Sequence, residues 1–220
     1  MLMIFDCDGV LVDSEPISNR ILARELTAIG LPTSSDDAMR DYMGRSWAAC
    51  MAIVEERLGH EPPKGFADGY HAALYEAFER ELEPVAGIEP ALDAIEQPSC
   101  VASSGAHDRI RRALAVTGLL ERFDGRIFSA TDVEHGKPAP DLFLHAAAAM
   151  GFEPGCCLVV EDSPAGVQAG RAARMTVLGY AGLTDAARLA AEGARTFSSM
   201  AELSALVTGC APRPGAGRSA

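Results

Sequence analysis

Two acidic residues near the start of the chain have the clearest potential for chemistry. The apolar run 1–5 ends at Asp6, and Asp8 follows two positions later, directly before Gly9. This pattern predicts a buried strand that delivers two carboxylates into a turn. Side chains at i and i+2 of a strand point the same way, and like charges so close need a cation or a shared proton. The pair therefore suits a divalent cation and a carboxylate nucleophile, although a polar strand end before an Asp-Gly turn would read the same.

Polar side chains also follow three later predicted strands. Ser103 ends the second strand, Lys137 lies in the loop after the third, and Glu161 and Asp162 follow the fourth. Ligands of open parallel sheets bind at the carboxyl ends of the strands, so these groups would meet there. Simpler interpretations exist: Lys137 as a solvated loop residue, Ser104 as the hydroxyl donor instead of Ser103, and Glu161-Asp162 as the start of a helix.

The elements that must position these residues alternate between strands and helices from about residue 82 onward. Short apolar runs separated by segments of helical periodicity indicate a parallel sheet covered by helices on both faces. The predicted strands are 1–5, 99–103, 126–129, 156–160 and 175–179, and the predicted helices are 87–97, 107–117, 140–150 and 164–174.

The segment between the first strand and this alternating region contains only helical periods, near 17–29, 46–58 and 70–78. The sequence therefore predicts an α/β protein with a Rossmann-like parallel-sheet core and a small all-helical cap inserted after the first strand. We expect the core to comprise residues 1–14 and 82–209 and the cap residues 15–81. Residues 210–220 are rich in proline and glycine, which predicts a disordered tail.

The composition limits the classes of partner. The chain has 220 residues, of which 31 are acidic and 19 are Lys or Arg, giving a formal net charge of −12. This balance argues against nucleic acid and anionic membranes, which require basic surfaces, but not against a small phosphorylated metabolite.

No apolar stretch reaches membrane-spanning length, and acidic residues precede Arg20, the first basic residue. The six cysteines form no Cys-x-x-Cys pair. We therefore expect a cytoplasmic protein without a zinc site.

The four polar segments, in this order and with a helical insert after the first, resemble the four motifs of the haloacid dehalogenase superfamily of phosphohydrolases. The insert resembles the small helical cap of its beta-phosphoglucomutase and phosphoglycolate phosphatase branch. The motif sequences are Asp6-Cys7-Asp8-Gly9, Ser103, Gly136-Lys137-Pro138 and Val160-Glu161-Asp162-Ser163-Pro164. The resemblance implies a magnesium-dependent phosphatase acting on a small phosphorylated metabolite, such as a sugar or sugar-acid phosphate.

The resemblance also implies a role for each catalytic residue. Asp6 would be the nucleophile that forms an aspartyl-phosphate, and Asp8 would be the general acid and then the general base. Ser103 would hydrogen-bond the transferring phosphoryl group. Lys137 would neutralise that group and hold Asp6. Because phosphoryl transfer depends mostly on positioning and electrostatics, these residue types agree with the implied reaction.

A magnesium site is implied by the same resemblance. Asp162, the Asp6 carboxylate and the Asp8 backbone carbonyl would bind Mg²⁺, with Glu161 in the same acidic cluster. The two acids of the first motif need opposite protonation states. We therefore expect Asp6 to stay ionised beside the metal and Asp8 to be freer to carry a proton.

Substrate specificity in this family comes largely from the cap. Arg45 follows Gly44 at a predicted helix start and resembles the cap arginine with which some relatives grip a distal acidic group. An exposed arginine at a helix end is an equally good interpretation. We assign Gly44, Arg45 and Ser104 to substrate binding and expect Trp47 to belong to the core. The sequence does not determine which way the side chain of His71, on the third predicted cap helix, faces.

Two other functions remain open. A phosphosugar mutase would be one, but Ser18 stands where the mutase relatives have a histidine, and residues 104–107 lack their Ser-Lys pair. A non-catalytic binding protein on the same fold would be the other, and the complete set of motif residues argues against it. A phosphatase is therefore the preferred interpretation.

Overall fold

The apolar run at the start of the chain forms a central strand of a parallel sheet. The computed structural model describes residues 1–210. Its strands are β1 (Leu2–Phe5), β2 (Ser99–Ser103), β3 (Ile127–Ser129), β4 (Cys157–Glu161), β5 (Thr176–Tyr180) and β6 (Arg195–Phe197). They lie in the order β3-β2-β1-β4-β5-β6, and every neighbouring pair is parallel. The predicted α/β class with a parallel-sheet core is confirmed.

Strand β1 is apolar on both sides because both faces of the sheet are covered. Met3 and Phe5 belong to one hydrophobic cluster, and Leu2 and Ile4 belong to another. All four side chains are fully buried. Alternating residues of a strand point to opposite faces, so a strand between two helical layers reads as a continuous apolar run.

The helices of the described residues fall into two groups. Four come directly after β1 in the sequence: α1 (Glu15–Ala28), α2 (Ser35–Tyr42), α3 (Trp47–Leu58) and α4 (Phe66–Glu81). The others are α5 (Ile88–Asp93), α6 (His107–Val116), α7 (Leu120–Phe123), α8 (Asp141–Ala149), α9 (Pro164–Ala172), α10 (Ala186–Ala191) and α11 (Leu203–Cys210). The predicted all-helical insert after the first strand is therefore present. A bridge between Val12 and Pro84 joins the two ends of this insert.

Several elements were not predicted from the sequence. Helix α2 is strongly polar and buries only Ala38 and Tyr42, so it has few apolar residues from which a helical period could be recognised. Its start nevertheless carries a capping box, in which the Ser34 and Asp37 side chains each accept from the other's backbone N–H. The short elements α7, β6, α10 and α11 were also missed. Cys210, assigned to the tail, is the last residue of α11, and residues 211–220 lie outside the described part of the chain.

Within residues 1–210, no helix combines the length and the hydropathy that crossing a bilayer requires.

Two helical glycines provide a test of this packing. An added Cβ at Gly170 in α9 would lie 2.7 Å from Val177 Cγ2, whereas one at Gly69 in α4 would meet nothing within 4 Å. We expect Gly170→Ala to lower the free energy of unfolding by ~1–3 kcal/mol, because a stiff valine on β5 must move. Gly69→Ala, the control, should raise it by ~0.5–1 kcal/mol through helix propensity. Urea denaturation measures both, and equal gains would contradict the described contact of α9 with the sheet.

Candidate active site

All nine sequence-predicted site residues line one cavity. The cavity has a volume of about 710 Å³ and lies at the carboxyl ends of β1, β2 and β4, below helices of the insert. The residues that line it include Asp6, Asp8, Gly44, Arg45, Ser103, Ser104, Lys137, Glu161 and Asp162. Its volume is in the range typical of small-molecule sites. The parallel sheet thus brings together groups that are far apart in the sequence.

A buried lysine links two of the acidic residues. Lys137 Nζ donates to Asp6 Oδ1 at 2.9 Å and to Glu161 Oε1 at 2.7 Å. It also donates to the Ala102 carbonyl at 3.1 Å, and its side chain is only 4% exposed. Burial acts to lower the pKa of Lys137, but the charges of Asp6 and Glu161 outweigh burial and raise it. The ammonium therefore stays charged, with three acceptors for its three N–H groups.

Three buried carboxylates form a cluster beside this lysine. Asp6, Glu161 and Asp162 each offer an oxygen, and these oxygens lie within 4.8 Å of one another. Burial raises the pKa of Asp6 to about 7, and burial with the Glu161 and Asp6 charges raises the pKa of Asp162 well above its usual range. One lysine cannot neutralise three carboxylates. Clustered oxygen donors with excess negative charge fit a hard divalent cation such as Mg²⁺.

Gly9 allows the chain to pass close to this cluster. Its φ is +76°, and an added Cβ would lie 2.0 Å from Asp162 Oδ2. A side chain at this position would be strained by the backbone and would displace the carboxylate. The glycine of the first motif is therefore required by both the turn and the close approach of Asp162.

Glu161 is held from its other side by the start of α9. Its Oε2 accepts from the Ser163 backbone N–H at 2.8 Å and from the Ser163 hydroxyl at 2.9 Å. Ser163 is also the N-cap of α9, where its Oγ accepts from the Gly166 N–H. An added Cβ at Gly166 would lie 1.7 Å from Glu161 Oε1. The helix start predicted here therefore exists and also fixes the carboxylate that holds Lys137.

Asp8 is bound by an arginine that sequence reasoning missed. Asp8 Oδ1 accepts from the Ser14 hydroxyl at 2.5 Å and from Arg109 Nη2 at 2.9 Å. Burial acts to raise the pKa of Asp8, but Arg109 and Ser14 outweigh burial and lower it. Among the protein groups alone, Asp6 thus retains a proton to higher pH than Asp8, and the expected ionisation of Asp6 beside a metal stays a prediction. Arg109 lies in the first turn of α6, the helix that follows β2. A charged residue at this position, near the carboxyl end of a strand, was the sequence signal that could have identified it.

The insert contributes an aromatic wall to the cavity. Trp47 stacks on Tyr70 with ring centroids 4.9 Å apart, and His71 lies 4.9 Å from Trp47. All three rings line the cavity. Trp47 is half-buried and packs against the hydrophobic core, as expected, but it also faces the cavity. Arg45 is exposed, and its Nε donates to the Asp41 carbonyl at 2.8 Å.

Glu15 is another residue of the cavity that the sequence analysis did not assign. Burial and the Asp8 charge raise the pKa of Glu15 to about 7, although hydrogen bonds from Asn19 and the Gly44 N–H oppose this shift. Gly44 also lies against Ser163, because an added Cβ at Gly44 would come within 3.3 Å of the Ser163 Cβ. The loop between α2 and α3 therefore rests on the start of α9, beside the acidic cluster.

Comparison with known proteins agrees with this geometry. The family model described as "Hydrolase: haloacid dehalogenase-like hydrolase" matches residues 1–174. The chain is 34% identical over 176 residues to 6-phosphogluconate phosphatase of Escherichia coli (strain K12), covering 80% of each protein.

Solved structures share the fold along almost the whole chain. A haloacid dehalogenase-like protein of unknown function from Agrobacterium tumefaciens superposes with a TM-score of 0.83 at 36% identity, covering 96% of this chain and 99% of that one. A beta-phosphoglucomutase-like protein from Thermotoga maritima gives a TM-score of 0.76 at 26% identity, with 94% and 98% covered. With its motif residues gathered in one cavity, the chain belongs to the haloacid dehalogenase-like hydrolases and is a phosphoric monoester hydrolase.

Proposed function

We propose that this protein hydrolyses a sugar or sugar-acid phosphate with Mg²⁺ and through an aspartyl-phosphate. The observation that supports this proposal most is the buried Lys137, which holds Asp6 beside a cluster of carboxylates at the base of the cavity. A phosphate monoester is an anion, and it repels a carboxylate nucleophile unless positive charge surrounds both. Lys137 supplies one such charge, and a cation at the cluster would supply the rest.

In the proposed reaction, an Asp6 oxygen forms a bond to phosphorus while the ester P–O bond breaks. The electron pair of that bond stays with the leaving oxygen, which takes a proton from Asp8. Water then attacks the aspartyl-phosphate and gives a proton to Asp8. The bond between phosphorus and the Asp6 oxygen breaks, which releases phosphate and restores both carboxyl groups. Both acids line the cavity, which is consistent with these roles.

Ser103 is the proposed hydrogen-bond donor to the phosphoryl group. Its hydroxyl oxygen accepts from the Gly105 N–H at 3.1 Å, so its own proton can be donated into the cavity. The residue is buried, and Lys137 reaches the carbonyl of Ala102 directly before it. Ser104 is exposed and also lines the cavity, so it is the alternative donor or a contact to the rest of the substrate.

We propose that Asp6, Asp162 and the Asp8 backbone carbonyl hold Mg²⁺, with Glu161 as a member of the same cluster. When bound, the cation supplies positive charge to the phosphoryl oxygens. Both Glu161 oxygens already accept hydrogen bonds, from Lys137 and from Ser163. These contacts support a role for Glu161 in holding the lysine and shaping the cluster.

The helical insert is the proposed source of specificity. Gly44 and Arg45 are exposed residues that line the cavity, and Trp47, Tyr70 and His71 form an aromatic wall of it. A cavity of about 710 Å³ has room for a sugar-sized group beside a phosphate. The curated relative that acts on 6-phosphogluconate supports an acidic distal group, to which the Arg45 guanidinium is suited.

The proposed location of the protein is the cytoplasm. The six cysteines are unpaired, which supports this location.

The first test is release of inorganic phosphate from a panel of sugar phosphates, sugar-acid phosphates and phosphoglycolate. We expect Mg²⁺-dependent release, lost by at least ~10³-fold in Asp6→Asn, because the amide cannot act as the nucleophile. Asp13→Asn, which changes an exposed acid outside the cavity, is the control and should retain activity. Conversion of a sugar 1-phosphate to its 6-phosphate without release would instead indicate a mutase. Folded wild-type protein that turns over nothing would indicate a binding protein.

Metal binding should release protons. The pKa of Asp6 is about 7, so the carboxyl is largely protonated at pH 6 and must lose that proton to bind a cation. We expect Mg²⁺ affinity to rise with pH below pH 7, by up to ~10-fold per pH unit for each carboxyl that must lose a proton, since burial raises the pKa of Asp162 as well. Calorimetry at pH 6.5 in two buffers of different ionisation enthalpy measures the released proton. A pH-independent affinity, or an unchanged affinity in Asp162→Asn, would contradict the proposed site.

A further inference from the structure

Arg109 occupies a position that neither the helix nor the hydrophobic core explains. It is the third residue of α6, where a positive charge opposes the helix dipole. Its side chain is only 21% exposed, and its Nε is buried without a partner among residues 1–210. Burying a guanidinium is costly unless an anion compensates for the lost hydration. The Asp8 carboxylate, 2.9 Å from Nη2, is the anion that does so.

The contact fixes one oxygen of Asp8 and leaves the other available. Arg109 Nη2 and the Ser14 hydroxyl both donate to Oδ1. Oδ2 accepts no hydrogen bond from residues 1–210, and Asp8 lines the cavity. An oxygen that already accepts two hydrogen bonds is poorly placed to carry a proton, so the proton-transfer atom is Oδ2.

Ser14 is committed to this contact as well. It is the N-cap of α1, yet its side chain makes no capping hydrogen bond and donates to Asp8 instead. The residue is fully buried. A serine at the N-cap stabilises the helix less when it makes no capping hydrogen bond. The Ser14 hydroxyl therefore contributes to holding the Asp8 carboxylate and not to capping α1.

The guanidinium is itself held between the core and the helical insert. Its carbon lies 5.9 Å from the ring centroid of Phe78, a fully buried residue of α4. The neighbouring Arg112 lies 4.8 Å from the Tyr75 ring and pairs with Glu79, both also on α4. Arg109 therefore has a defined place, fixed by a cation–π contact on one side and by Asp8 on the other.

We propose that Arg109 is a positioning residue that, with Ser14, orients Asp8 so that Oδ2 faces the ester oxygen of the substrate. This inference rests on the proposed function, in which Asp8 gives a proton to the leaving oxygen and later takes one from water. Arg109 does not touch the reacting atoms. It acts by restricting the side-chain rotation of Asp8, which places the proton within transfer distance.

The leaving group of the substrate provides the decisive test. The leaving group of glucose 6-phosphate is a sugar alkoxide, which needs a proton. The leaving group of p-nitrophenyl phosphate is a stable phenolate, which needs none. We expect Arg109→Gln to lower kcat/KM by roughly 10- to 100-fold for glucose 6-phosphate and by less than about 3-fold for p-nitrophenyl phosphate. Arg109→Lys should lie between, because it retains one cationic donor. Ser14→Ala should show the same dependence on the leaving group.

Two controls separate positioning from other roles. Arg111→Gln alters an exposed arginine of the same helix, paired with Asp124, and should leave both substrates unaffected. In an Asp8→Asn background, Arg109→Gln should have no further effect, because its action passes through the Asp8 carboxylate. The thermal midpoint of each variant establishes that it is folded.

Several results would overturn the inference. Equal losses on the two substrates, or a loss that persists in the Asp8→Asn background, would show that Arg109 acts elsewhere. A KM increase restricted to 6-phosphogluconate would show that it binds the distal acidic group. Wild-type protein that hydrolyses p-nitrophenyl phosphate but no alkyl phosphate would leave Asp8 nothing to protonate. Wild-type protein that does not hydrolyse p-nitrophenyl phosphate would contradict the proposed phosphatase itself.

Discussion

The arrangement of the site depends on a single buried cation. Lys137 places a charged ammonium among carboxylates at the carboxyl edge of the sheet, where water is largely excluded. An ammonium in such a place is stable only if acceptors surround it, and carboxylates in such a place are stable only if cations do. Lys137 therefore stabilises the buried carboxylates of Asp6 and Glu161, and these carboxylates stabilise the buried ammonium of Lys137. The remaining negative charge of the cluster is what makes a divalent ion a suitable further partner.

Small residues around this cluster are as important as the charged ones. Gly9 lets the backbone pass beside Asp162, and Gly166 leaves room for the Glu161 carboxylate. The hydroxyl and N–H of Ser163 then orient that carboxylate towards Lys137. The helix start, the turn and the charged groups thus form one packed unit.

Much of this organisation could be predicted from the sequence, for reasons that differ between elements. Strands β1, β2 and β4 are short apolar runs that end at polar residues, so both the sheet and the edge at which Asp6, Ser103 and Glu161 meet could be predicted. Helix α2 could not, because its apolar face is small. Glu15 could not either, since it reaches the cavity from a helix of the insert whose orientation is not encoded in any local pattern, whereas the place of Arg109 in the first helical turn after β2 was a signal that could have identified it. The boundaries of the core and the cap, and the roles of the site residues, remain predictions.

The distance along the chain between the members of the cluster has a consequence for folding. Asp6 directly follows the first strand, Lys137 lies in a loop more than halfway along the chain, and Glu161 ends the fourth strand. The contacts among them close very long loops, and parallel strand pairing of this kind forms slowly. A partly folded chain therefore holds these charges apart in water, where they neither repel nor attract strongly. Only a chain in which β1 has paired with β4 can gather the ligands of the cluster, so binding of a divalent ion would report on that long-range pairing and would favour the folded state.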